Sequence, residues 1–352
     1  MGEAMERVRL MDAGWSSDLV HELLDGGPPA PGAGQLLIEV GACGVCFRDL
    51  IDRSGRFPFL QTPITPGHEV AGRVIALGSG VEGWAIGDQV ATMHRDSCGQ
   101  CPQCRSGQTS LCVGAAWVFG LMADGGYASH VLAPQNSVYR LPGSMSAVEG
   151  AILHCTFGTA FRGLHHFGEI GPGDRVLVVG ANGGVGAAAV QLACRLGAEV
   201  VGVVREGARA AFVEAQGASR VVVDAEGGRF HKLLGAWQAD VVLDCVGPPT
   251  FNAALRSARM GGGVVVIGNV VEDKASLNLG YLVVNGLHVV GSSGATAEDM
   301  AGVLALHARS PLSIPRHSIL PLSQADAAQR QLQAGGVEGR IVLVPQGRGA
   351  AS

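Results

Sequence analysis

The sequence predicts an α/β chain in two parts, a β-rich first half followed by a doubly wound parallel sheet. Three observations predict it. Residues 176–197 read as strand, glycine turn and helix. Strands and helical stretches alternate from Pro172 onward, and short strand-like runs separated by Pro and Gly fill the chain up to Tyr139. A length of 352 residues suits two domains. With 47% hydrophobic and 16% charged residues, large cores are expected and disorder is not.

In the first half, strand-like runs at 8–11 and 35–40 flank the turn segment GGPPAPGAG. Further runs follow at 70–77, 89–93 and 129–133, with no solenoid repeat. In the second half the strands are 175–179, 199–204, 220–223, 240–244 and 263–267. Helical stretches lie between them, one starting at Ala187, one at 208–216 and one near 251–258. This βαβ repetition implies a parallel sheet with helices on both faces. After Gly291 come a helix at 296–309, a proline-containing connection, a helix at 323–334 and a final strand at 340–344.

Net charge is −5 and the basic residues are scattered, which argues against nucleic acid or an acidic membrane surface as partner. The N-terminal residues lack an apolar core of signal-peptide length, and no apolar run reaches spanning length. A soluble, cytoplasmic protein is expected.

The stretch VLVVGANGGVGAAAVQLACRLG has the geometry that seats a diphosphate on a helix N-terminus. Its turn residues Gly180, Ala181, Asn182, Gly183, Gly184, Val185 and Gly186 are the candidate contacts. Glycine lets the backbone approach phosphates and lets the helix pack close to the strand. The context predicts dinucleotide binding rather than a plain tight turn.

Nine cysteines without a signal peptide suggest metal or catalysis before disulfides. Cys98, Cys101, Cys104 and Cys112 are spaced to enclose one tetrahedral structural zinc, in preference to free surface thiols or an iron–sulfur cluster. Gly99, Pro102 and Gly107 supply the tight turns. A second, dispersed set joins Cys46, His68 and Cys155. Two thiolates and an imidazole make a catalytic zinc set with one position left for water or substrate. Asp49 and Glu69 are candidates to orient these ligands, and Glu69 can also reach the metal as an alternate ligand. Two zinc ions per chain are expected.

The motifs GVCFRD at 44–49 and GHEVAG at 67–72, the four-cysteine lobe and the nucleotide turn together resemble the zinc-containing medium-chain dehydrogenase/reductase family, the alcohol dehydrogenase-like one. The resemblance covers essentially the whole chain. It implies a GroES-like catalytic domain at 1–157 with the structural-zinc lobe at about 94–114. A Rossmann domain at 158–293 and a return to the catalytic domain at 294–352 are implied to follow. It further implies Cys46, His68 and Cys155 as catalytic ligands and Arg340 as a basic residue meeting the diphosphate. Val246, Gly268 and Asn269, in LDCVG and VVIGN, fall on backbone that lines the nicotinamide. A homodimer or homotetramer through the strand at 287–290 is implied by analogy.

Departures from the pattern carry as much weight. Ala181 stands at the first glycine of GxGxxG, a variant that still makes the turn. No acidic residue follows Val204 to bond the adenosine ribose. Arg205 comes next, with Arg209 one helical turn on, which suits a 2′-phosphate, although Glu206 argues partly against it. NADP(H) is therefore expected over NAD(H). In the family an alcohol proton leaves through a Ser or Thr two residues after the first Cys ligand, then through a His three residues further on. Here those positions are Arg48 and Ile51, and Phe47 replaces a basic residue that often touches the diphosphate. CxRD motifs occur in relatives resembling acryloyl-CoA reductase. Arg48 either contacts an anionic part of the substrate or pairs with Asp49.

The leading expectation is a zinc-dependent oxidoreductase moving hydride between NADP(H) and a carbonyl or alcohol substrate. The alternative is NADPH-dependent reduction of an activated C=C bond, with the α-carbon proton from water or a hydroxyl such as Thr156 or Thr159. Intact zinc ligands favour the first and the missing relay favours the second. A non-catalytic NADPH-binding protein is disfavoured because all three ligands are present.

Overall fold

In the computed structural model, which describes residues 5–346, the chain divides into two units. One runs to Cys155 and resumes at Arg316; the other spans Thr156–Pro315.

The second unit is built on a six-stranded sheet, all parallel. Its order is Arg220–Val223, Glu199–Val204, Arg175–Val179, Ala239–Asp244, Ala258–Val266 and His288–Gly291. Val176, Leu177, Val178 and Val179 are all buried, which is the pattern of a strand covered on both faces. Leu177 and Val179 face a core with Phe230 and Phe251. On the other face, Leu243 and Val265 lie against Gly163. Strand order reverses beside Arg175–Val179, the switch point where open α/β sheets bind ligands. The Gly184–Arg195 helix begins there, three residues before the expected Ala187, because Gly184 and Gly186 are themselves helical. The expected helix at 208–216 is shorter, a 3₁₀ turn at Gly207–Arg209 leading into Ala210–Ala215.

The first unit carries a seven-stranded sheet in the order Arg316–Pro321, Arg340–Val344, Gln35–Val45, Glu69–Leu77, Gln89–Thr92 and Val138–Arg140, with His130–Pro134 also on Gln35–Val45. The long strand Gln35–Val45 organises it. Its first part pairs with His130–Pro134 and its end with Arg340–Val344. Gly44 lies opposite Glu69, and Val45 opposite Ile341. Cys46, His68–Glu69 and Arg340 therefore converge at three neighbouring strand ends. Cys46 then N-caps the Phe47–Arg53 helix. That helix is tied down by the buried Arg53, which donates to the Ser17 carbonyl at 2.6 Å and to Gln329 Oε1 at 3.2 Å, and lies 2.8 Å from Asp326 Oδ1.

Two expectations are corrected. The proline-containing connection holds a strand, Arg316–Pro321, parallel to Arg340–Val344. Its bounding prolines and its polar start, Arg-His-Ser, hide it from a period-2 reading. The return to the first unit begins at Arg316, not at 294. The Ala297–Arg309 helix belongs to the second unit because Asp299 Oδ2 pairs with the buried Arg162 at 3.0 Å. Gln191 further donates to the Ser313 carbonyl at 2.6 Å and accepts from its N–H at 3.0 Å. Among the described residues, no helix is long and apolar enough to cross a membrane.

Asp299 also accepts from Thr296 N–H and Oγ1 at 2.8 Å each, closing a capping box. Asp299→Ala leaves Arg162 buried and uncompensated and is expected to lower stability by about 3–5 kcal/mol. Urea unfolding checks this, and Arg162→Met with Asp299→Leu is expected to recover most of the loss.

Candidate functional site

Cys46, His68, Glu69 and Cys155 offer ligand atoms that all lie within 4.8 Å of one another. Cys46 Sγ and Cys155 Sγ are 3.7 Å apart, and Cys155 Sγ is 3.7 Å from His68 Nε2. The arrangement rests on Asp49, the third residue of the helix that Cys46 caps. Its Oδ2 accepts the Cys46 N–H at 2.9 Å, and its Oδ1 meets His68 Nδ1 at 3.0 Å. Bonding of Nδ1 to a carboxylate directs Nε2 toward the sulfurs, as metal-binding histidines require. Cys155 comes from the π-helical turn that follows Ala147–Leu153.

The electrostatics suit a cation. A hydrogen bond from Cys155 holds the Cys46 thiol well below its ordinary value despite burial. Cys155 is pushed up by that same bond and by burial. Of the two sulfurs, 3.7 Å apart, Cys46 is the stronger acid, and a divalent ion bound between them would displace the remaining proton. Burial and Arg48 pull His68 down, yet Asp49 and the Cys46 thiolate hold it up at about 10. Burial pushes Glu69 up to about 8 against the pull of Arg340. Glu69 Oε1 lies 3.0 Å from Arg340 Nη2, off hydrogen-bond geometry, so among the described residues neither of its buried oxygens has a hydrogen-bond donor. Two thiols, an imidazole and an unbonded buried carboxylate fit zinc.

Arg340, the candidate for the diphosphate, is buried, and its strand register places it beside Cys46 with Nη2 3.0 Å from Glu69 Oε1. Arg48 does not pair with Asp49. Its Nε donates to Asp52 Oδ2 at 3.0 Å, one helical turn on, and its Nη2 donates to the Phe119 carbonyl at 3.2 Å. Burial raises Asp52 to about 6 even with that arginine bound. Thr156 and Thr159 are both buried.

The sulfurs of Cys98, Cys101, Cys104 and Cys112 form a second group with the same 4.8 Å limit. Gly99 and Gly107 take φ +72° and +78°, and Pro102 opens the short Pro102–Arg105 helix. The Cys104 N–H points at Cys101 Sγ at 3.5 Å, and this contact leads in holding Cys101 down near 6. Desolvation and the neighbouring thiolates of Cys101 and Cys112 push Cys104 up to about 12. Four thiolates cannot coexist so closely without a cation.

The nucleotide turn has the shape its glycines predict. Gly180 takes φ +76°, and a Cβ there would sit 2.9 Å from Val246 Cγ2. Gly183 caps the Gly184–Arg195 helix, leaving the first N–H groups of Gly184, Val185 and Gly186 for a ligand. A Cβ on Gly186 would strike the Gly180 carbonyl, and one on Gly268 would strike that of Cys245. The turns bearing Ala181 and Asn182, Val246, and Gly268 and Asn269 follow three adjacent strands. Asp244 ties down the middle turn by accepting from Val246 N–H at 2.9 Å and Gly247 N–H at 3.1 Å. Arg205 is exposed at the end of Glu199–Val204, whereas Arg209 lies 3.4 Å from Glu206.

Sequence reasoning missed Tyr127, whose phenol donates to Asp49 Oδ2 at 3.0 Å from full burial. The paired glycines before it, Gly125 and Gly126, were the available signal. It also missed His94, whose ring is tilted against that of His154 with centroids 5.5 Å apart, beside the candidate ligand Cys155, and which burial holds well below its usual range.

Comparison with known proteins matches two family models, an alcohol dehydrogenase GroES-like domain over residues 32–143 and a zinc-binding dehydrogenase domain over residues 184–309. The chain belongs to the zinc-type medium-chain dehydrogenase/reductase family, with a GroES-like domain and a Rossmann domain, and is an oxidoreductase of that family. It is similar to the acryloyl-coenzyme A reductase of Metallosphaera sedula, 32% identical over 326 residues that cover 92% of this chain and 95% of that one. The NAD-dependent alcohol dehydrogenase of Sulfurisphaera tokodaii is 31% identical over 331 residues, 90% of this chain and 94% of that one. The crystal structure of AibC matches with a TM-score of 0.88 and 37% identity, covering 97% of this chain and 96% of that one.

Gly186→Ala forces the helix away from the Gly180 carbonyl, an overpacking cost of about 1–3 kcal/mol. Dinucleotide affinity is expected to fall about tenfold or more, with metal content unchanged. Fluorescence titration with NADH and NADPH, alongside metal analysis, checks both.

Proposed function

We propose that the protein is a zinc-dependent reductase that uses NADPH to reduce the C=C bond of an α,β-unsaturated carbonyl compound, a thioester or an enone. The observation that carries this reading is Arg48. It stands where an alcohol-oxidising relative has its first proton-passing hydroxyl, and it is bonded to Asp52 and the Phe119 carbonyl. When bound, zinc polarises the carbonyl oxygen and the nicotinamide supplies hydride to the β-carbon. Cys46, His68 and Cys155 would hold the metal, with Glu69 as alternate ligand. Asp49 keeps the His68 proton on Nδ1. Arg340 offsets the charge of Glu69. Cys98, Cys101, Cys104 and Cys112 would hold a second, structural zinc. Similarity to the acryloyl-coenzyme A reductase of M. sedula over 92% of the chain supports the reading.

A second reading, reduction of the carbonyl itself or oxidation of an alcohol, is favoured by the complete three-ligand set and by similarity to relatives named alcohol dehydrogenase. The preference for NADP(H) rests on Arg205 and on the missing acid after Val204. We also propose a homo-oligomer through the edge strand His288–Gly291. The neighbouring Leu279–Asn285 helix exposes Val283 and Val284.

Zinc-loaded protein given an α,β-unsaturated aldehyde and deuterated NADPH is expected to place deuterium on the β-carbon of a saturated aldehyde. Deuterium on C1 of an allylic alcohol would establish the second reading instead. Arg205→Ala is expected to raise the KM for NADPH about tenfold or more, the loss of a charge-assisted hydrogen bond, and to leave the KM for NADH unchanged. Equal effects on both cofactors would remove the 2′-phosphate argument.

A further inference from the structure

Tyr127 is one of only three tyrosines in the chain and is fully buried. Its backbone is fastened to the loop that presents His68. The Tyr127 N–H donates to the Pro66 carbonyl at 2.9 Å, and the Gly126 N–H donates to the Gly67 carbonyl at 2.9 Å. Its ring covers the α-carbon of Gly67, where any Cβ would strike it, and Gly67 takes φ +96°. The residue before His68 is glycine for both reasons.

The phenol reaches past that loop to Asp49. An ionised carboxylate is acceptor-only, and here each oxygen has a defined task. Oδ2 accepts from the Tyr127 hydroxyl at 3.0 Å and from the Cys46 N–H at 2.9 Å. Oδ1 is left for His68 Nδ1 at 3.0 Å. Burial and the adjacent Asp49 and Cys43 keep the phenol protonated, so it remains a donor. The terminal torsion of an aspartate is otherwise broad. With the Tyr127 bond removed, Oδ2 keeps only the Cys46 N–H, and the carboxylate is held less firmly toward His68.

We propose that Tyr127 is a positioning residue for the metal: its hydroxyl fixes the Asp49 carboxylate, and through it the orientation in which His68 presents Nε2. The proposal rests on Cys46, His68 and Cys155 holding zinc. The bland alternative is that Tyr127 only fills the core over Gly67, a task that a phenylalanine ring performs equally well.

The test is zinc affinity, read by chelator competition on the intact chain. Cys46→Ser identifies which of the two zinc-release phases belongs to the Cys46–His68–Cys155 set. Tyr127→Phe is expected to weaken that phase by about tenfold, within the range for partners of metal ligands, and to leave the four-cysteine phase unchanged. The melting temperature of Tyr127→Phe reports whether it folds. In an Asp49→Ala background, where both acceptor oxygens are gone, Tyr127→Phe is expected to add no further loss. Unchanged affinity in Tyr127→Phe, or an equal loss in both backgrounds, overturns the proposal in favour of core filling. A release profile that Cys46→Ser leaves unaltered overturns the metal reading itself, and the proposal with it.

Discussion

Cys46, Cys155, Glu69 and Asp49 bring four ionisable acids together, three of them buried and Cys155 half-buried, and the surrounding structure answers that concentration. Buried charge is costly unless paired and hydrogen-bonded. Asp49 is fully answered, with donors from Cys46, Tyr127 and His68. Glu69 is answered by the Arg340 guanidinium at 3.0 Å without a hydrogen bond. The Cys46 and Cys155 sulfurs lie 3.7 Å apart, and their contact makes Cys46 the stronger acid of the two. A divalent cation is the group whose charge and ligand preferences match what these residues leave unbalanced.

This concentration follows from strand register more than from local sequence. A one-residue slip in a sheet turns every side chain to the opposite face. Gly44 opposite Glu69 and Val45 opposite Ile341 set where Cys46, His68 and Arg340 emerge. Gly44 has a further reason to be glycine, since a Cβ there would strike the Glu69 carboxylate. The helix that starts at Cys46 uses Asp49 twice, as the reciprocal acceptor of its own N-terminus and as the partner of His68. Cap formation and ligand orientation are therefore one event. Arg53, four residues further on, anchors the far end of the helix to Asp326 and Gln329 of the returning tail.

What could be read in the sequence was whatever is local or carried by ligand chemistry. Strands Arg175–Val179, Glu199–Val204, Arg220–Val223 and Arg340–Val344 show in the sequence with the bounds they have in the fold. Each is a short run of mostly β-branched apolar residues after one charged residue, which reads as a strand whatever its partner. The two groups of candidate metal ligands were legible because cysteine and histidine advertise their chemistry, and the structure brings each group together. The partners of Arg340, Arg48 and Tyr127 were not legible. An arginine looks alike in sequence whichever carboxylate it meets, and only pairing between distant strands shows that Arg340 lies beside Glu69. The edge strand Arg316–Pro321 and the attachment of Ala297–Arg309 were hidden for the same reason. Each depends on a partner remote in sequence, Arg340–Val344 for the strand and Arg162 for the helix.

Position 48 bears most directly on the chemistry. A proton relay needs groups that both accept and donate. A guanidinium stays protonated throughout the physiological range and has no acceptor, so Arg48 can hold charge but cannot pass a proton. Its bonds to Asp52 and the Phe119 carbonyl commit it further, and Ile51, next on the expected path, has no polar side-chain atom. Oxidation of an alcohol must export a proton from the substrate oxygen, and that is the route these two residues fail to provide. Reduction of a conjugated C=C bond makes no such demand, because hydride goes to the β-carbon and the proton is delivered to the α-carbon from another direction. Retention of the full ligand set fits equally well, since the conjugated carbonyl still needs its oxygen polarised for the β-carbon to accept hydride.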